Sequence, residues 1–111
     1  DPLLDVATLL SYWVEPGDPP PMQALRQMPT ALPGFPTRAQ VLELYARRSG
    51  LDVSQFKYYR ILALFKLCVV FQQLYRRHLR GDSNDERAAS YGPLTAGLID
   101  FTANALATER Y

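Results

Sequence analysis

The side chains able to do chemistry are few in this chain, and they do not gather. His78 is the only histidine, so no histidine-based metal cluster and no redundant Ser-His-Asp arrangement can be assembled. It sits in Arg76-Arg77-His78-Leu79-Arg80, near the expected C-terminus of a helix, where positive charge complements the helix dipole. Cys68, the single cysteine, excludes an internal disulfide and a cysteine-rich zinc site. Its setting, Leu67-Cys68-Val69-Val70, reads as a buried and inert thiol. The six glycines are scattered beside turns, and neither common glycine-rich phosphate loop occurs. Asp82, Asp85 and Glu86 crowd one turn and read as a solvated loop followed by the acidic start of a helix. Arg76, Arg77 and Arg80 could reach a phosphate, but that acidic turn offsets their field, and a solvated helix end is the simpler reading.

Two residues are more informative. Lys66 is the only charge between Ile61 and Phe71, in a stretch otherwise suited to burial. A buried, unpaired ammonium costs several kcal/mol, roughly, so Lys66 needs a carboxylate, carbonyls or a ligand. Tyr59, Lys66 and Gln73 recur every seven residues and form a polar line near one side of a helix, which could face a cleft. Alternatively Lys66 reaches a surface with its apolar stem, or pairs with an internal acid such as Asp5. Asp5, between Leu4 and Val6, is either a buried acceptor for backbone N–H groups or an exposed acid; periodicity leaves both open.

These residues need helices to hold them, and the pattern supplies four helical segments and no convincing strand. Asp1 can cap the first, with Pro2 at its first position, and Val6, Leu9, Leu10 and Trp13 follow at helical spacing. Seven of the nine prolines fall between Pro16 and Pro36, so that stretch is an extended loop. Met22, Leu25, Met28, Leu32 and Phe35 make it a packed loop, with one short turn expected near Met22 to Gln27. Thr37 and Gln40 form a capping box for the second helix, whose buried stripe is Val41, Leu44 and Tyr45 and whose end is Gly50. The third helix runs from after Ser54 to Leu79 or Arg80, about 36 Å, closed by Gly81. Its middle is apolar on nearly every side, as expected of a central helix surrounded by others. A last stretch covers Asp85 to about Thr108, kinked or divided at Gly92-Pro93. The fold class is thus all-α, a single helical unit over residues 1–111 with the packed loop 16–36 within it.

The 111 residues suffice for one modest core, and 48% apolar with 21% charged residues is ordinary for a globular chain. A net charge of +1 gives no electrostatic reason to expect nucleic acid or an anionic membrane as partner. The longest apolar run is about half the length needed to span a bilayer. No signal-peptide pattern opens the chain, so a cytoplasmic location is expected. The helical pattern begins at once, without a methionine, as in part of a longer polypeptide.

Two stretches resemble a known family. Asp1-Pro2-Leu3-Leu4-Asp5-Val6-Ala7, with Leu10-Ser11-Tyr12-Trp13, is similar to the segment after the metal-binding loop of aminoglycoside-phosphotransferase and choline-kinase-like enzymes. The second is Phe35-Pro36-Thr37-Arg38, Tyr45, Gly50, Tyr58-Tyr59, Ala63-Leu64-Phe65-Lys66, Gln72, Tyr75, Arg77 and Gly81. It resembles the subgroup related to the kinase domains found beside acyl-CoA dehydrogenases. The resemblance implies the helical C-terminal part of a protein-kinase-like fold. It also implies a parent phosphotransferase that uses ATP and magnesium to phosphorylate a hydroxyl of a small molecule, a hydroxy-acyl substrate in that subgroup.

The family's His-Gly-Asp loop, its magnesium aspartate and its nucleotide lysine would all precede Asp1. The chain alone should therefore be inactive and bind neither ATP nor magnesium. By the same resemblance Asp5 matches the aspartate that braces the catalytic loop, which raises its buried-acceptor reading above the exposed one. Lys66 matches a Lys or Arg of the long helix, and Gln72 and Tyr75 match the Gln and Tyr after it. Gln73 departs from the small glycine usual there. Trp13, Tyr59, Lys66 and Gln72 are the candidate wall of the acceptor site. The expected partners are the missing kinase lobe and the small-molecule acceptor, with self-association through an exposed apolar face when that lobe is absent. The rival reading is a stand-alone helical interaction module without catalysis.

Overall fold

A computed structural model describes residues 1–25, 28–82 and 86–108. Among them every regular element is helical: α1 (Pro2–Tyr12), α2 (Pro20–Gln23), α3 (Arg38–Ser49), α4 (Phe56–Leu79) and α5 (Tyr91–Thr108), with a 3₁₀ turn over Glu86–Ser90 ahead of α5.

The helix ends follow their local chemistry. The Asp1 carboxylate accepts from the Leu3 N–H at 2.9 Å, and Pro2 takes the first position of α1. At α3 the Thr37 hydroxyl accepts from Gln40 N–H at 3.1 Å while the Gln40 amide oxygen accepts from Thr37 N–H at 2.8 Å. Gly50 then closes α3 in the left-handed region, φ 71°. Gly81, φ 77°, ends α4 in a paired motif: its N–H donates to His78 O at 3.0 Å, and Asp82 N–H donates to Arg77 O at 3.0 Å.

Two apolar clusters share α4. The larger joins Leu64, Leu67, Cys68 and Phe71 of α4 to Tyr91, Leu94, Leu98, Phe101 and Ala105 of α5, closed by Val14, Met22 and Leu25 from the proline-rich loop and its edge. The smaller gathers Ala7 and Leu10 of α1, Leu42 of α3, and Phe56 and Ala63 at the start of α4. The loop is therefore core material, as its composition suggests. Thr30 is buried and its hydroxyl accepts from Val14 N–H at 2.8 Å, while Leu32 and Phe35 lie exposed.

Four expectations need correction. The buried side of α3 is Arg38 and Leu42, with Leu44 exposed and Val41 and Tyr45 half-buried. The break in the last segment comes before Tyr91, at the 3₁₀ turn, and Gly92-Pro93 lies inside the first turn of α5. Proline is tolerated there because the N–H groups of a first turn have no intrahelical acceptor. Gly92 serves packing instead: a Cβ at that position would come within 2.6 Å of the Tyr75 ring. The short turn of the loop begins at Pro20, earlier than expected, and Gln27 lies outside the described residues. Finally, α4 is the long central helix expected, but it is not covered on every side. Tyr58, Leu62, Phe65, Val69 and Val70 are all exposed on it.

Candidate functional site

The polar chemistry that the fold organises is centred on Arg38, only 3% exposed, in the first turn of α3. The Thr37 capping box fixes the start of that helix, so the arginine is aimed back at the segment leaving α1. Its guanidinium grips Asp18 with two nitrogens, Nη1 to Oδ2 at 2.6 Å and Nη2 to Oδ1 at 2.8 Å. Nη1 also donates to Trp13 O at 2.8 Å, and Nε lies 3.2 Å from Glu15 Oε2. The Arg38 backbone N–H donates to the same Glu15 carboxylate at 2.9 Å. Asp18 Oδ2 further accepts from Glu15 N–H at 2.8 Å, and Gln23 Nε2 donates to Glu15 O at 2.7 Å.

This knot ties residues 13–23 to α3. Both carboxylates are committed to Arg38, which makes the group a clamp in which neither acid is free to act as a general base. A second guanidinium, Arg60 of α4, is fully buried. Arg38 and Arg60 place their guanidinium carbons 5.9 and 5.8 Å from the centroid of the Phe101 ring, within cation–π range.

The residues singled out by sequence do not converge. Asp5 is exposed, and its carboxylate makes no hydrogen bond or ion pair among the described residues. The reason is its place on α1: it lies about 200° round the helix from Ala7, which faces the core. A bracing role for Asp5 requires a partner beyond these residues. Lys66 is exposed too, not buried, and is not paired with Asp5. Gln72 and Gln73 are exposed on the later half of α4. Trp13 and Tyr59, by contrast, both pack on the smaller cluster beside α1 and α3. The Trp13 indole N–H donates to Pro36 O at 3.0 Å, and its ring meets Phe35 edge-on at 6.3 Å.

Cys68 is buried, its Sγ 3.8 Å from the Thr102 hydroxyl. Burial pushes its thiol up from the ordinary value, against a smaller opposing pull from that hydroxyl, so the thiolate nucleophile is disfavoured. His78 stacks on Tyr75 at 6.2 Å. Of the acidic turn, Asp82 and Glu86 are exposed, while Asp85 lies outside the described residues. Among the described residues no three His, Cys, Asp or Glu side chains come together as a metal site. No helix among the described residues is long and apolar enough to cross a membrane.

Between α4 and α5 lies a groove of about 540 Å³. Phe65, Val69, Gln72 and Arg76 form one wall and Ile99 and Leu106 the other, with Cys68 and Thr102 among the remaining lining residues.

Sequence reasoning missed Arg38, Arg60, Glu15 and Asp18. For Arg60 a signal existed: it stands four residues after Phe56 and four before Leu64, inside the buried stripe of α4. For Arg38 and its acids the signal is too weak, because their pairing depends on where the irregular loop turns.

Comparison with known proteins gives two relatives. Over 102 residues, 90% of this chain, it is 26% identical to acyl-CoA dehydrogenase family member 10 of Mus musculus, of which the match covers 9%. Over 87 residues, 77% of this chain, it is 29% identical to acyl-CoA dehydrogenase family member 11 of Mus musculus, covering 11% of that protein. The chain thus spans about a tenth of the length of these curated relatives. No family model and no solved structure matches it.

Proposed function

We propose that this chain is the distal helical part of an ATP-dependent, magnesium-requiring phosphotransferase that phosphorylates a hydroxyl of a small molecule. The observation that carries the reading is the extent of the similarity. The aminoglycoside-phosphotransferase-like pattern runs from Asp1 to Gly81, and similarity to two proteins named as acyl-CoA dehydrogenase family members extends along 90% and 77% of the chain. The catalytic loop, nucleotide site and metal ligands then belong to polypeptide outside these 111 residues. The contribution of this part is positional: α1 would present Asp5 to the underside of the catalytic loop. Trp13 and Tyr59, neighbours on the smaller cluster, would stand on the acceptor side. Lys66 lies in phase with Tyr59 two turns further along α4 and is exposed, whereas Gln72 lies about 140° round the helix from Tyr59 and does not join that wall.

The test is to sequence what precedes Asp1 in the source polypeptide and to assay that polypeptide for magnesium-dependent ATP turnover with hydroxy-acyl and other alcohol acceptors. Acceptor-dependent turnover is expected. Replacing Asp5→Asn should lower kcat while leaving the KM for ATP nearly unchanged, as befits a positioning residue. A source polypeptide with no His-Gly-Asp loop, or one that transfers no phosphoryl group to any alcohol, would overturn the proposal.

A further inference from the structure

The exposed residues of α4 carry a pattern of their own. Tyr58, Leu62, Phe65, Val69, Gln72, Arg76 and Leu79 are all exposed and follow one another at intervals of four and three. That alternation is the seam spacing of a two-helix contact, sustained for about 32 Å along the helix. Tyr58 and Phe65 are 66% and 59% exposed, so their burial is not supplied by this fold. Along the later half of the seam Ile99 and Leu106 of α5, also exposed, add a second apolar wall and turn it into the groove described above. A helix laid there would touch α4 and α5 together.

Charge selects the kind of helix. The whole of α4 contains no acidic residue. Lys66 flanks the seam, Arg76 lies in it and Arg80 follows at its end, all exposed and none in an ion pair among the described residues. No acid lines the groove. The α4 of a second copy would bring further cations and no acid to this seam, so it offers these charges no complement. An acidic partner meets the same cations favourably. We propose that the α4–α5 groove is the docking site for an acidic amphipathic helix of another protein, held by its apolar face, with its carboxylates toward Lys66, Arg76 and Arg80. This stands apart from the phosphotransferase reading, which rests on Asp5, Trp13 and Tyr59 beside α1 and α3 and makes no use of the groove.

The probes are a synthetic three-heptad peptide with leucine at the seam positions and glutamate flanking them, and its twin with lysine for glutamate. Titrated calorimetrically into the 111-residue chain, the acidic peptide should bind one per chain, about tenfold or more tighter than its twin, and weaken as salt rises. Phe65→Glu should abolish binding. The double variant Lys66→Glu, Arg76→Glu should reverse the preference toward the basic peptide. These positions are exposed, and unchanged thermal unfolding of each variant verifies that the fold is kept. Four outcomes would overturn the proposal. Two are that the twin binds as well as the acidic peptide, and that neither peptide binds. Sedimentation must not show a dimer that Phe65→Glu dissolves, which would make the occupant a second copy. Finally, the full source polypeptide must bind the acidic peptide as well; refusal there would mean that its own chain fills the groove.

Discussion

At the scale of single residues the fold depends on a charge that no surface argument would suggest. Arg38 is buried with Asp18, whose side chain is 7% exposed, and with Glu15, at 22%. Two carboxylates held this way lose much of their hydration, and the guanidinium returns it in hydrogen bonds of fixed geometry. Arg38→Ala should therefore destabilise the chain by about 3–5 kcal/mol, because it strands two partly desolvated acids. The double replacement Arg38→Met, Asp18→Leu should cost clearly less, since it removes the desolvated charge along with its partner. Urea unfolding of the three proteins checks both points, and equal losses for the single and double variants would refute the argument. The same residue illustrates the reach of sequence reading. A capping box at Thr37 and Gln40 is visible because it needs only four consecutive positions. The grip of Arg38 on Asp18 spans an irregular loop, and no periodicity encodes where such a loop returns.

Among the elements, α3 and α4 show how much a short local signal can settle. Both helices begin and end within about two residues of where Thr37, Gly50, Ser54 and Gly81 place them. Caps are chemistry between near neighbours, which explains why their positions are legible. What the pattern misjudged was the surroundings of α4. An apolar run facing several directions reads as all-round burial, yet α1 and α5 cover only one side, and Phe65 and Val69 remain open. Apolarity alone cannot distinguish a residue buried within its own fold from one available to a partner. The site candidates Trp13, Tyr59, Lys66 and Gln72 were chosen by family likeness and residue type; the fold brings Trp13 and Tyr59 to one cluster, while Gln72 lies about 140° round α4 from Tyr59. Thr37→Ala should cost about 1 kcal/mol through loss of the cap. Gly81→Ala should cost a similar ~1 kcal/mol, because alanine is strained at φ 77°. Each is measurable as a lowered midpoint in thermal unfolding, and an unchanged midpoint would show that the corresponding end frays freely.

The whole molecule is elongated, 48 × 29 × 24 Å, because its long axis accommodates α4. The two apolar clusters lie along that helix and are connected by it: Ala63 belongs to one and Leu64, the next residue, to the other. Arg38 and Arg60 add a second connection, since both approach the Phe101 ring of the larger cluster from α3 and α4. The chain should therefore unfold as one unit. Trp13 fluorescence, which reports the smaller cluster, and helical circular dichroism, dominated by α4 and α5, should give coincident denaturation curves. Separated curves would mean that α1 and α3 detach first.

The Arg38 clamp has a further consequence for how the molecule meets a protease. Trypsin must draw an arginine side chain into its own pocket before it can cut, and Arg38 is withheld by Asp18, Glu15 and the Trp13 carbonyl. Arg80, at the exposed end of α4 beside Gly81, is under no such restraint. Cleavage after Arg80 should proceed from the folded chain, while cleavage after Arg38 should wait for the clamp to open. The ratio of the two fragments would then serve as a running gauge of how often this fold lets go of its own loop.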